Sequence, residues 1–511
     1  MKPITRRAFL KAAALSTGAL AANQILPGGW WVAAAAKQSP GYFESEFGIT
    51  DALCNRVIQK ALARGGDFAD LYFEHTIRNS LFLEDGQVNQ AYGRIDLGVG
   101  VRTVKGDQVG YGFTQVLDEK SMLSAAATAA TIADAAARPK SKQFIRPAVA
   151  DYYPLKTLLT QVPLDAKLPL IRLVHEQCLK HSGLVITVQA GLVDQQKRVL
   201  IVRSDGQKAE DLLPLDYLYA RVVVEKGGRR EKASWNLGGR RDFSWFTPEV
   251  AAELAQGTTE RALRLLEAIQ PPAGEMPVVL GPGTTGILLH EAIGHGFEAD
   301  FNRKKISVYC TLLEQKVAEP FVTIIDDATL PSQTGSLNVD DEGTPGQKTV
   351  LIENGVVRSY LHDRISARHY GVEPTGNGRR QSYQHYPLPR MRTTYLLPGP
   401  AEPEEVIRSV VRGIYVAEVG NGQVKIGEGD FAFYVTQGYL IENGKLTAPI
   451  KDVNIMGNGP KMLKNVAMIG NDLKFSRGGS GSCSKEGQNV PISFGLPTVL
   501  VNSLTVGGLK A

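Results

Sequence analysis

The stretch ILLHEAIGHGFEAD, Ile287 to Asp300, places two histidines and a glutamate within a few residues of each other. In the zinc-protease signature H-E-x-x-H, two imidazoles at i and i+4 share one helix face. Here His290 and His295 are five apart. That offset turns them by about 140° around an ideal helix axis. Both can reach one ion only if the backbone departs from a regular helix. A one-residue π-bulge would do it, and so would a helix that ends near Gly294 and lets His295 swing back. Gly294 and Gly296 flank His295, and glycine permits such a distortion. Glu291 lies four residues before His295, so it can share that histidine's face.

The soft candidates for a third ligand are His175, His181, His362, His369, His385 and the four cysteines, Cys54, Cys178, Cys310 and Cys483. Cys54 and Cys178 sit in apolar periodic runs, as buried structural cysteines do. Cys483 sits instead in GGSGSCSKEGQNVP, where a Gly/Ser loop lets backbone pack closely around a ligand. Two imidazoles, one thiolate and a water make a catalytic Zn2+ site with an open position. Such an ion lowers the pKa of its water to about 7. Glu291 beside it is placed to act as general base and to return the proton to the leaving amine. The chemistry implied is amide hydrolysis.

Those residues need elements that aim them. A strand (MPVVLGPG) and a Gly-rich turn lead into a helix around Leu288, so the helix points out of a sheet. The chain of 511 residues has room for two or three domains. Its composition, 43% hydrophobic and 21% charged, excludes disorder, coiled coil and a polytopic membrane protein. After about residue 45, helical spacing in ITDALCNRVIQKALARG gives way to a meander of short alternating runs. Turns at Asp85-Gly86 and Lys105-Gly106-Asp107 divide that meander. An Ala-rich helix is expected over 119–136. A Pro-punctuated linker leads to a second unit, with helices expected over 164–182 and from Pro248 to Ile269 around paired strands. The expected class is α+β: N-terminal α/β units at 45–137 and 155–270, then a mainly antiparallel β domain at 274–511 that carries the metal helix.

The first 36 residues carry Lys2, Arg6, Arg7 and Lys11 and no acid, which accounts for most of the formal charge of +5. Without them about +1 remains and no basic stripe survives, so nucleic acid is not an expected partner. Thr5 to Lys11 (TRRAFLK) fits the twin-arginine pattern, and Ala34 to Ala36 suits a signal peptidase. Ser16, Thr17, Asn23, Gln24 and Pro27 interrupt the apolar run, so no stable membrane anchor is expected. The expectation is a signal peptide at 1–36 and a periplasmic, already folded product. Four cysteines in an oxidising compartment suggest disulfides, yet folded export lets a thiolate–metal bond form first.

The strings LLHEAIGHGFEADFNRKK, DDEGTPGQKTVLIENGVV, PTGNGRRQSY, VGNDLKF and CSKEGQNVPISFGLPTVLVNSLTVGG resemble the TldD branch of the TldD/PmbA metalloprotease family. The resemblance reaches back through DLYFEHTIRNSLFLEDG and covers nearly everything after about residue 45. It implies zinc held by His290, His295 and Cys483, with Glu291 as base. It further implies a homodimer, or a heterodimer with a paralogue that lacks the box, acting on peptide or unfolded protein. Family members are cytoplasmic, and the leader here departs from that pattern. Two other readings are a non-catalytic partner or scaffold subunit of such a dimer, and a zinc hydrolase of another amide such as a cell-wall peptide. Asp340, Asp341 and Glu342 read as an acidic turn, with a contact to a substrate amine as the alternative. Arg379 and Arg380 read either as a carboxylate clamp or as a solvated turn, and Tyr383 and His385 as a structural loop or an oxyanion contact. The Arg pairs at 229–230 and 240–241 read as exposed turns.

Overall fold

A computed structural model describes residues 41–508 apart from 136, 138 and 141. The expected signal peptide at 1–36 lies outside the described residues. The first sheet is organised by turn chemistry. Asp85 and Gly86, with φ of 46° and 81°, close a two-residue hairpin between β1 (Phe68–Glu84) and β2 (Gln87–Lys105). Positive φ at both central positions is what matches the right-handed twist of the flanking strands. Gly227 and Gly228, at 58° and 79°, do the same between β6 (Asp216–Lys226) and β7 (Arg229–Gly239). With β3 (Gln108–Thr114), β4 (Val185–Arg203) and β5 (Lys208–Pro214), these form one antiparallel sheet in the order β3-β2-β1-β4-β6-β7, β5 pairing with β4.

The first two expected units therefore share a single sheet, joined where β1 pairs with β4 from Asp70 to Glu84. Four helices cover its apolar faces: α1 (Asp51–Leu62), α2 (Glu119–Ala129), α3 (Leu164–His181) and α4 (Pro248–Glu267). Thr50, Asp118 and Thr247 cap α1, α2 and α4 through their side-chain oxygens. The Ala-rich helix is shorter than expected. It tightens into a 3-10 turn over Ala130–Ile132, and Ala133 is extended.

The C-terminal region holds two larger sheets and is mainly antiparallel. β8 (Gly274–Leu280) lies between Arg412–Lys425, which runs parallel to it, and Val499–Gly508, which runs antiparallel. Thr393–Leu396 pairs in parallel with Ser493–Leu496 in the second sheet. A large apolar core fills the space between, taking in Leu288, Leu289, Ile293, Phe297 and Cys483. The fold is mixed α/β, as the alternating and helical patterns require. Among the described residues no helix is long and apolar enough to cross a membrane.

Candidate metal centre

β8 ends in a turn where Gly283 adopts φ of 92°, and a 3-10 turn at Thr284–Gly286 starts α5 (Ile287–Ala292). A Cβ on Gly286 would lie 2.9 Å from the carbonyl carbon of Gly495, so glycine lets α5 rest on the neighbouring strand. The helix stops after six residues. Ile293 leaves helical geometry at φ −119°, ψ −56°, and Gly294–Phe297 form a separate 3-10 turn. This break is the departure that the five-residue spacing requires. Neither Gly294 nor Gly296 has a positive φ; they are small because space is short. A Cβ at Gly294 would meet Met391 Sδ at 1.9 Å, and one at Gly296 would meet the Tyr309 ring at 2.4 Å. Ser307 donates to the Gly296 carbonyl at 2.6 Å, and Tyr309 to the Ala292 carbonyl at 3.3 Å. These bonds satisfy carbonyls that the broken helix leaves free.

The break swings His295 back towards His290. Their rings are 5.1 Å apart and nearly perpendicular, at 82°. Cys483 arrives from a hairpin formed by Ser482–Lys485 and Gln488–Pro491. Its Sγ lies 3.4 Å from His295 Nε2, across 188 residues of sequence. The nearest donor atoms of His290, His295 and Cys483 all fall within 4.8 Å of one another, and all three residues are buried. A tetrahedral ion with bonds of about 2.0–2.3 Å spaces its ligands by roughly 3.3–3.8 Å. Both ring nitrogens of His290 are buried without a hydrogen-bond partner, and an unpaired buried polar atom normally carries a penalty of about 1–3 kcal/mol. This donor set fits a borderline-soft divalent metal.

Charged groups orient the site from below. His295 Nδ1 donates to Glu298 Oε2 at 3.0 Å, leaving Nε2 facing Cys483. Lys485 stands two residues from Cys483 on the same strand face and reaches Glu298 at 3.1 Å and Asp300 at 2.7 Å. Arg390, fully buried, donates to the Cys483 carbonyl and, at 3.2 Å, to that of Gln488. Burial opposes ionisation of Glu298, but Lys485 and then His295 override it and bring the carboxyl down to about 2. Burial likewise opposes the Cys483 thiolate, and the two imidazoles overcome it, holding the thiol well below its ordinary value. Glu291 Oε2 lies 3.7 Å from His295 Nε2, and its side chain keeps 19% exposure, so it alone of the four faces solvent.

Sequence reasoning missed Glu298, Asp300, Lys485 and Arg390. Glu298 stands three residues after His295, and Lys485 shares its strand face with Cys483, so the spacing carried a signal. Other sequence readings need correction. Asp340 and Glu342 are not an exposed acidic turn: they are 1% and 0% exposed. Glu342 is in an ion pair with Arg102 at 2.7 Å, and Asp340 accepts from the amides of Glu342 and Thr344. Arg240, Arg379 and Arg380 are also buried. Arg240 bridges the large sheet at Pro214 to Ser336, Arg379 donates to the carbonyls of Met391 and Pro491, and Arg380 pairs with Asp70 of β1. Arg229 and Arg230 are exposed at their turn, as expected. Cys54, Cys178, Cys310 and Cys483 are all free thiols. None of His175, His181, His362, His369 or His385 joins the cluster.

A groove runs between the large sheet and the C-terminal region. The strap Arg477–Ser482 crosses it, accepting from the Gly238 amide at 2.9 Å and donating through Ser480 to Asn236 at 3.2 Å. On one side lies a cavity of about 790 Å³ lined by Trp235, Asn236, Thr284 and Ile287. On the other lies one of about 540 Å³ lined by Arg78, Arg240 and Arg379. Ser480, Gly481 and Ser482 line both. Ile287 is one helical turn before Glu291 and Ser482 adjoins Cys483, so both cavities abut the centre without being lined by its residues.

Three family domains match in order: PmbA/TldA metallopeptidase domain 1 at residues 69–133, the central domain at 158–266 and the C-terminal domain at 273–508. A metalloprotease TldD homolog of Buchnera aphidicola is 39% identical over 453 residues, covering 86% of this chain and 93% of the relative. One from Haemophilus influenzae is 39% identical over 454 residues, 87% and 94% of the two chains. A zinc metalloprotease TldD homolog of Saccharolobus solfataricus is 35% identical over 288 residues, 56% of this chain and 63% of the relative. In fold, the chain is similar to TldE from Thermococcus kodakarensis, at a TM-score of 0.68 and 18% identity, covering 89% of this chain and 100% of that one. A Thermotoga maritima structure, solved as a candidate modulator of a DNA gyrase, gives 0.72 at 24% identity, with 89% and 100% covered. The chain belongs to the TldD/PmbA metallopeptidase family.

Proposed function

We propose that the chain is a zinc-dependent metallopeptidase that hydrolyses peptide bonds in extended or unfolded peptides, with His290, His295 and Cys483 holding the ion. The observation that carries this reading is the convergence of the three donor sets within 4.8 Å, together with the two unpartnered nitrogens of His290. A bound zinc ion supplies Lewis acidity towards a water and a peptide carbonyl. The remaining work falls to the chain's own groups. Glu298 fixes the tautomer of His295, so that Nε2 rather than Nδ1 faces the centre. Arg390 fixes the backbone at Cys483. Glu291, beside His295 Nε2 and open to solvent, takes the proton of an attacking water and delivers it to the leaving amine.

The groove supports an extended substrate. The Gly238 amide points away from β6, towards Arg477, and the β6–β7 register has no shift. By antiparallel alternation, the main-chain groups of Asn236, Ser234 and Lys232 also point outward, and all three line the larger cavity. A peptide laid there can add to β7 as a further strand. Metal analysis and peptidase assays on purified protein test this reading. One zinc per chain is expected, with hydrolysis lost by about 10²–10⁴-fold in Glu291→Gln while the zinc stays. Zinc-free active protein, or full activity in that variant, would sink it.

Export by the twin-arginine route to the periplasm belongs to the same proposal, supported by the TRRAFLK pattern ahead of Ala34 to Ala36. Residues 1–40 fused to a reporter that fluoresces only after folded export should place it in the periplasm, and a Lys pair at Arg6 and Arg7 should stop that. Family membership supports a dimer, with itself or with a paralogue. Light scattering of the chain alone and of the co-expressed pair decides between them.

A further inference from the structure

The two cavities beside the strap handle charge differently. In the larger one, both lining glutamates sit in close ion pairs, Arg261 with Glu418 and Lys451 with Glu231. Arg221 and Lys232 of its lining are unpaired among the described residues, but the first is only half-buried and the second is exposed. In the smaller one the acids are already engaged. Glu74 accepts from Thr76 and from the Tyr383 amide and has Lys197 at 3.6 Å. Asp96 is paired with Arg94 at 2.8 Å, and Asp341 accepts from the Arg380 amide at 2.7 Å.

Three guanidiniums lining that cavity make no ion pair or hydrogen bond to a carboxylate among the described residues, although Asp211, Asp216 and Asp341 stand near Arg240 and Asp341 near Arg379. Arg240 is 2% exposed and donates only to the carbonyls of Ser336 and Pro214. Arg379 is 3% exposed and donates to the carbonyls of Met391 and Pro491. Arg78 stands exposed at the rim, beside Tyr217. Burial draws Arg379 down to about 10, with Asp341 opposing, and it lowers Arg240 as well. Buried cations of this kind are ordinarily paired. Two of them converge with a third on one cavity, whose wall at Ser482 adjoins Cys483. A guanidinium is the side chain best shaped to grip a carboxylate with two hydrogen bonds.

We propose that the 540 Å³ cavity is a carboxylate subsite, in which Arg78, Arg240 and Arg379 receive an anionic carboxylate of a peptide whose reacting bond lies beyond the strap at the metal centre. This rests on the peptidase reading above. The carboxylate is either the chain terminus or an acidic side chain, since both present the same group. Occupancy of this cavity then limits how far a peptide runs past the centre and selects acidic over neutral chains.

Binding is measured without turnover, on zinc-loaded full-length Glu291→Gln protein, by fluorescence anisotropy. Three labelled decapeptides of Ala, Gly, Ser and Thr serve as probes: one with a free C-terminus, one amidated, and one amidated with a single internal Glu. At least one carboxylate-bearing probe should bind about tenfold tighter than the amidated neutral one, a difference of about 1.4 kcal/mol. Preference for the free acid identifies the chain terminus, and preference for the Glu probe identifies a side chain. The preference should vanish in R78Q, persist in R78K, and persist in R221Q, which alters the other cavity. Equal binding of all three probes, or a preference that R78Q leaves intact, overturns the subsite. Failure of every probe to bind overturns the peptidase reading itself.

Discussion

His290 and His295 stand in opposite surroundings although their rings touch. Around His295 the charged groups are paired: Glu298 accepts a hydrogen bond from its Nδ1, and Lys485 pairs with Glu298 and Asp300 in turn. His290 is fully buried, and both its ring nitrogens lack hydrogen-bond partners. One imidazole is therefore pre-oriented by electrostatics, and the other is buried with its polar atoms unpaired. The same contrast separates two buried acids. Glu298 faces two cations and falls to about 2, whereas Asp340, raised first by burial and then by the Glu342 carboxylate, rises to about 7.

The largest effect is expected at the centre of the paired network. Lys485→Met leaves Glu298 and Asp300 buried without their ammonium, so the metal-free protein should lose about 3–5 kcal/mol in urea unfolding. His295→Leu removes a hydrogen bond to a charged acceptor and should lower metal-free stability by about 1.5–3 kcal/mol. Glu298→Gln keeps the shape but weakens the hold on His295. Zinc affinity, measured by chelator competition, should fall by about 10–100-fold.

The pH dependence follows from Asp340. Its folded pKa lies above the unfolded value near 3.8. Its stabilisation is thus complete below about pH 4 and is lost as pH climbs towards 7, at up to about 1.4 kcal/mol per pH unit. Asp340→Asn should flatten that part of the stability profile. The smallest effect has the opposite sign to intuition. His290→Leu should leave metal-free stability within about 1 kcal/mol of the parent, or raise it, because it removes two unpaired polar atoms. Equal, large losses from His290→Leu and His295→Leu would erase the contrast between the two sides.

Much of this was legible in the sequence where local chemistry decides structure. The five-residue spacing of His290 and His295 demanded a broken helix, and α5 ends at Ala292. The Gly/Ser setting of Cys483 set it apart from Cys54 and Cys178, which lie in two other apolar clusters. Hairpins with Asp85-Gly86 and Gly227-Gly228 declared their own turns. What stayed hidden depends on long-range burial. Arg390 and Arg392, in PRMR, carry no local signal of burial, yet both are fully buried, Arg392 against Asp326 at 2.8 Å. Lys485, in CSKEG, is buried only because the hairpin turns it inward, onto Glu298 and Asp300. Charged residues announce exposure by default, so a buried network is invisible until its distant partners, such as Asp300 at 185 residues from Lys485, are in place.

X-ray absorption at the zinc edge of the full-length protein tests the central claim most directly. One zinc per chain is expected, with one sulfur near 2.3 Å and nitrogen or oxygen near 2.0 Å, and with the sulfur shell lost in Cys483→Ser. A zinc shell of nitrogen and oxygen alone in the parent protein would contradict it.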